Sequence, residues 1–188
     1  LRPAEGLIPE VDIARMIETV RGARGLVSQR ALADGTERPY ELNVALFDAL
    51  QGTVAGPDDM GIARFLCSQA IAMALEGIPA FYIHSLLATR NDSEGVAKLG
   101  YNRASNRHRW DYATLEARLA DPASDTAQVF AAMTRMLKVR ARQPAFHPNA
   151  TQFTLQLGDA IFGFWRQSFD RAQSIFILSN VTAETVTV

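Results

Sequence analysis

Two short stretches gather side chains able to read a polyol. Arg38-Pro39-Tyr40-Glu41-Leu42-Asn43 sets a guanidinium, a phenol, a carboxylate and an amide almost side by side. Asn102-Arg103-Ala104-Ser105-Asn106-Arg107-His108 does the same with amides, guanidinia and an imidazole. Sugar hydroxyls point in fixed directions, which forked donors and acceptors match, while a tyrosine offers a flat apolar face with one polar tip. Either stretch also reads as a solvated loop. His84 closes an apolar run, as a satisfied structural histidine or as a ligand-facing one. His147, near Pro144 and Pro148, reads as packing, and Cys67 as a small core residue. Asp58 and Asp59 suit the positive end of a helix better than a catalytic pair. The scattered glycines form no phosphate-cradling loop, and no Ser-His-Asp order is readable.

The elements around these stretches follow from apolar spacing. Pro9 to Val20 predicts an amphipathic helix with Ile13, Met16, Ile17 and Val20 on one face and Gly22 at its stop. Gly25 to Pro39, centred on Asp34-Gly35-Thr36, lacks an apolar period and is expected as a long surface loop. Asn43 to Leu50 is too short to assign, and Gly52 to Pro57 breaks the chain. Met60 to Leu75 is apolar all round and predicts a largely buried helix ended by Gly77. Ile78 to Leu87 then predicts a buried parallel strand, the helix–break–strand rhythm of an α/β fold. The polar stretch Thr89 to Trp110 would lie just beyond that strand's C-terminal end, where α/β barrels place their active sites. A helix is expected from Asp125 to Arg142, with Asp125 and Gln128 as a capping box and Val129, Phe130, Met133, Met136 and Leu137 inward. After Pro148 the period becomes that of strands. Thr151 to Leu157, Ile161 to Trp165 and Ser174 to Leu178 are separated by Gly158-Asp159 and Asp170-Arg171, and Thr185 to Val188 starts a fourth strand.

Composition excludes whole classes of function. With 19 Lys+Arg against 20 Asp+Glu in 188 residues, no basic excess draws the chain onto nucleic-acid phosphates. The apolar runs are far shorter than the ~20 residues of a membrane span. One cysteine and three dispersed histidines offer no disulfide framework and no local metal motif, so neither metal nor cofactor is expected.

The ordered motifs Arg2-Pro3-Ala4-Glu5-Gly6-Leu7-Ile8, Pro39 to Asn43 with Phe47-Asp48-Ala49-Leu50, Gly77-Ile78-Pro79-Ala80-Phe81-Tyr82, Asn91-Asp92 and Asn102 to His108 resemble one family along essentially the whole chain. It is the sucrose-phosphorylase branch of the α-amylase-like glycoside hydrolases. The resemblance implies an α/β fold: residues 1–147 as the C-terminal part of a (β/α)8 TIM barrel, and 148–188 as the start of an antiparallel β domain. It implies a piece of a larger enzyme whose catalytic carboxylates lie upstream, so no catalytic residue is assigned here. The chemistry implied is double displacement with retention: an α-glucoside plus inorganic phosphate gives α-glucose 1-phosphate. Arg103 matches the arginine that resembles a glucose-ring binder, and Tyr40 and Glu41 match the mobile loop that meets acceptor or phosphate. Where plain sucrose phosphorylases resemble one another in a glutamine, this chain has Glu41. That departure points to a relative acting on glucosylglycerate or sucrose 6-phosphate, with Arg30 and Arg38 as candidate positive charges. The expected substrate-binding set is Arg103, Tyr40, Glu41, His84 and Arg38. A hydrolase or glucosyltransferase of the same superfamily, or a non-catalytic sugar-binding module, remains the alternative reading. A cytoplasmic location is expected, and oligomeric state is not readable.

Overall fold

A computed structural model describes residues 1–187. The chain mixes helices with antiparallel strand pairs and clusters into two compact units, Leu1–Phe65 with Tyr82–Phe130, and Leu66–Phe81 with Ala131–Val188.

In the first unit, helix α1 (Glu10–Gly22) buries Ile13, Ile17 and Val20, the i, i+4, i+7 set that its spacing predicted. Glu10 and Asp12 in its first turn and Arg21 in its last complement the helix dipole. The chain then turns sharply at Gly25, where a Cβ would collide with Val20 and Val44.

The expected surface loop over Gly25 to Pro39 is instead a hairpin of β1 (Leu26–Ala31) and β2 (Glu37–Asn43). Asp34 accepts from the Thr36 amide at 2.9 Å and its hydroxyl at 2.7 Å, while Gly35 supplies φ +82°. The strands escaped prediction because neither face of β1 is fully buried, so no apolar alternation is needed. Beyond the hairpin come α2 (Leu46–Ala49) and a small pairing of β3 (Gly52–Thr53) with β4 (Gly56–Pro57). Phe47, 1% exposed, meets the edge of Phe65 at 5.2 Å on helix α3 (Gly61–Ala74). Asp58 accepts from the Met60 amide and from Arg64, whose hydrogen bond holds its carboxyl below the usual range. Helix α3 is less buried than expected: Phe65, Met73 and Ala74 are covered, but Ile62, Leu66 and Ile71 are half-exposed.

The predicted strand at Ile78 to Leu87 does not form. No described residue pairs with Ile78 to Tyr82, and Ile83–Leu86 coils into the short helix α4. A strand exists only through a neighbour's hydrogen bonds, however apolar its sequence. The stretch Thr89 to Trp110 is likewise more ordered than expected. Asp92 caps α5 (Ser93–Leu99) by accepting from the Gly95 amide at 2.7 Å, and Gly100 ends it at φ +72°. A 3-10 turn spans Asn102–Asn106. Helix α6 (Tyr112–Ala120), absent from the sequence reading, is capped by Asp111 on the Thr114 amide. Helix α7 (Asp125–Arg140) starts with Ser124, not Asp125, as its cap, because the Ser124 hydroxyl accepts from the Ala127 amide at 3.0 Å. Val129 and Met133 are buried as expected, whereas Phe130 is exposed and Met136 and Leu137 are half-buried.

The second unit carries the meander β5 (Thr151–Leu155), β6 (Ile161–Gln167) and β7 (Ser174–Asn180), with its predicted turns at Gly158 and Arg171 in the left-handed region. Phe153, Trp165 and Phe176 share a register row and stack with centroids 4.7 and 5.8 Å apart. On the other face Arg166 is fully buried and donates to the carbonyls of Ala74, His147 and Ala150. Arg140 donates to those of Met73, Gly77 and Phe146. Of the predicted fourth strand, Thr185 to Thr187 pair with nothing described and Val188 lies outside the described residues. Among the described residues no helix is long and apolar enough to cross a membrane.

Candidate functional site

The bulge in the hairpin decides where its chemistry points. Ser28 pairs with Glu41 and Gln29 with Pro39, so Tyr40 is the extra residue of a β-bulge. A bulge re-aims side chains and raises local twist, and Pro39, without an N–H, suits the interruption. Glu41 meets Arg103 here: the guanidinium Nε donates to both carboxylate oxygens at 3.0 Å. The hydrogen bond to Glu41, then the charge of Glu41, with a smaller share from Tyr40, stabilises the Arg103 cation and raises its pKa above the usual range. Both side chains keep contact with solvent, at 52% and 30% exposure.

The segment that carries Arg103 is anchored residue by residue. Asn102 donates to the Ser28 hydroxyl at 3.1 Å, which also accepts from Asn43 at 2.9 Å. The Ser105 hydroxyl reaches Asn91 Oδ1, the Asn106 carbonyl accepts from the Tyr82 phenol at 3.1 Å, and His108 Nδ1 lies 2.9 Å from Asp92 Oδ2. Asn91 is the knot beneath. Its amide donates to the Ala23 carbonyl, its oxygen accepts from the Ala45 amide, and its backbone N–H donates to Asp48. Arg90 bridges Asp48 and Asp125 at 2.8 and 2.6 Å over the Phe47 ring, and those bonds outweigh the burial that works against its charge. Asp48, Asn91, Asp92, Asn102 and Asn106 stood in quoted motifs and Asp125 in a capping box, but their pairings carried no signal in the sequence, because each is read only against a partner distant along the chain.

The structure therefore brings together Glu41 and Arg103, with Tyr40 beside them. Arg38 is exposed on β2, opposite Arg30 in register, and does not join them. His84 forms a separate group. Its ring meets the Tyr82 ring edge-on at 4.9 Å, and its Nδ1 lies 3.2 Å from the Thr89 hydroxyl. Burial first, then the nearby His108, pushes its pKa below the usual histidine range. Tyr82, His84, Thr89, Arg90 and Asn106 line a cavity of about 120 Å³. A larger cleft of about 750 Å³ between α1 and the β3–β4 pairing takes none of the five predicted residues.

No family model matches the chain. Among curated proteins it is 43% identical over 151 residues to a glucosylglycerate phosphorylase of Allomeiothermus silvanus, covering 80% of this chain and 27% of that protein. It is 36% identical over 180 residues to a glucosylglycerate phosphorylase of Spirochaeta thermophila, covering 96% of this chain and 30% of that protein. The chain thus spans less than a third of the length of these relatives. In fold it matches the crystal structure of a sucrose 6F-phosphate phosphorylase from Thermoanaerobacter thermosaccharolyticum, with TM-score 0.67, 20% identity, and coverage of 97% of this chain and 37% of that one.

Proposed function

From the premise that this chain is homologous to glucoside phosphorylases, we propose that it forms the acceptor-side part of a retaining one. Its reaction converts an α-glucoside of the glucosylglycerate type, or sucrose or sucrose 6-phosphate, plus inorganic phosphate into α-glucose 1-phosphate. A carboxylate attacks the anomeric carbon as a carboxylic acid protonates the departing oxygen, and phosphate then opens the glucosyl-enzyme. Both carboxyl groups are supplied from outside these residues. Residues 1–147 form the C-terminal part of the barrel and 148–188 begin the β domain, a reading supported by the fold match. The setting is cytoplasmic.

The observation that carries this reading is the Glu41–Arg103 pair. A hairpin bulge delivers the residue of the acceptor-facing loop onto an arginine of the second sugar-reading stretch, although 62 residues separate them. Arg103 binds the glucose ring, Tyr40 and Glu41 face the acceptor or phosphate, and His84 joins the substrate-binding set from its own cavity, while Arg38 stands apart on β2. The test is product analysis on the protein that carries this chain, supplied with glucosylglycerate and inorganic phosphate. Glucose 1-phosphate is expected, and Arg103→Ala should lower kcat/KM by about 100-fold, because no water replaces a planar guanidinium fork. Phosphate-independent release of glucose would sink the proposal in favour of a hydrolase. The Phe153–Trp165–Phe176 stack favours a second reading, a sugar-binding face on the meander. Calorimetry of the isolated chain with glucosides, comparing Trp165→Ala, tests it.

A further inference from the structure

The Thr89 hydroxyl is a buried group with two neighbours and one proton. Thr89 is 3% exposed. The Trp110 indole N–H can only donate, and it donates to Thr89 Oγ1 at 3.0 Å. His84 Nδ1 lies 3.2 Å from the same oxygen. If Nδ1 carried the ring proton, the hydroxyl would accept twice and bury its own proton unpaired, the costly arrangement for a polar group removed from water. With Nδ1 as acceptor, all three groups are satisfied. The Thr89 backbone N–H also bonds the His84 carbonyl at 2.8 Å, which fixes the two residues relative to each other.

We propose that Thr89 and Trp110 are positioning residues that set the tautomer of His84. The indole holds the hydroxyl, the hydroxyl donates to Nδ1, and the ring proton stands on Nε2 as a donor to ligand in the adjoining cavity. The occupant that fits is an oxygen acceptor of a small hydroxy acid. The cavity's ~120 Å³ is the share of about four waters, and Arg90 lines it as well. This ligand assignment rests on the reading of His84 as part of the substrate-binding set, whereas the tautomer rests on the hydrogen bonds alone. The charged and titratable groups around the ring are Arg90, engaged by Asp48 and Asp125, His108, engaged by Asp92, and the Tyr82 phenol.

The test uses the 188-residue chain, with long-range proton–nitrogen spectra of the histidine rings above pH 7 and a free histidine side chain measured alongside. His84 is expected to favour the Nε2–H tautomer beyond the free side chain by about tenfold, the size of one net hydrogen bond. Thr89→Val should return it to the free ratio, and Trp110→Phe should move it part of the way. A His84 carrying its proton on Nδ1, or a folded Thr89→Val chain with an unchanged ratio, overturns the proposal. If Thr89→Val does not fold, an unchanged ratio in folded Trp110→Phe overturns it equally. D-glycerate added to the wild-type chain should shift the Nε2 resonance, and Thr89→Val should weaken that shift. A tautomer response with no glycerate shift refutes the donor role and the ligand reading while leaving the tautomer device standing.

Discussion

Two sets of arginines, one in each unit, are held differently. In the unit holding the hairpin, Arg30, Arg64, Arg90 and Arg103 each pair with a carboxylate and keep between 24% and 54% of their side-chain surface in contact with solvent. In the unit holding the meander, Arg140 and Arg166 direct their donors into backbone carbonyls. Met73 and Ala74 lie in the last turn of α3, where the helix dipole leaves partial negative charge, so carbonyls stand where a carboxylate would otherwise be needed. The arrangement is not free. Burial lowers the pKa of Arg166, and its Nε has no partner among the described residues. An exposed, carboxylate-held guanidinium can exchange its partner for a ligand anion, while one threaded among carbonyls can only hold structure.

On that division the largest effect belongs to Arg166. Arg166→Ala removes the donors to the carbonyls of Ala74, His147 and Ala150, of which His147 keeps only the Ala150 amide, and opens a void in β6, so it should cost about 3 kcal/mol of stability in urea unfolding. Arg166→Met, which keeps the packing and removes the desolvated charge, should cost clearly less. Equal losses would mean that hydrogen bonding, not volume, is what Arg166 supplies. Asn91 comes next. Asn91→Ala cuts the side-chain links to Ala23, Ala45 and Ser105 and should lower stability by about 2 kcal/mol, with the amide resonances of residues 43–48 and 102–106 shifting most. Shifts spread evenly over the chain would deny Asn91 its role as the local knot.

How much of this was legible in the sequence follows from where each signal is stored. Helix α1, the body of α7 and the three-stranded meander were readable because periodicity lies within the segment itself. The Asp34-Gly35 turn was visible too, but its flanking strands are half-exposed on both faces, so no alternation marked them as a hairpin. Ile78 to Tyr82 misled for the opposite reason: the apolar run is present, yet a strand's hydrogen bonds must come from elsewhere. Helix α6 did carry a local signal in Asp111-x-x-Thr114, a capping carboxylate three residues before the amide that donates to it. At the site, Tyr40, Glu41 and Arg103 were named from chemistry and family resemblance, but the bulge that aims them and the Thr89–Trp110 hold on His84 are properties of pairing. Arg38 shows the reverse. Its residue type fitted the chemistry, and its register directs it elsewhere.

The smallest stability change, and the sharpest probe of the comparison, belongs to Glu41→Gln. The amide keeps an oxygen for Arg103 Nε, and the pair is 52% and 30% exposed, so solvent already screens most of its Coulomb energy. Stability should be nearly unchanged, as expected of a solvent-screened ion pair. Anion binding should respond much more. With the carboxylate in place, inorganic phosphate must displace a like charge to reach Arg103; with the amide it displaces only a neutral acceptor. Calorimetric titration of the chain with phosphate should therefore show affinity rising several-fold on a background of nearly unchanged unfolding. The matching control is Arg140, whose donors are taken up by carbonyls: Arg140→Gln should disturb unfolding and leave phosphate affinity where it was. If Glu41→Gln left phosphate binding unaltered while weakening the fold, Arg103 would be a structural arginine like Arg166, and the contrast between the two units would dissolve.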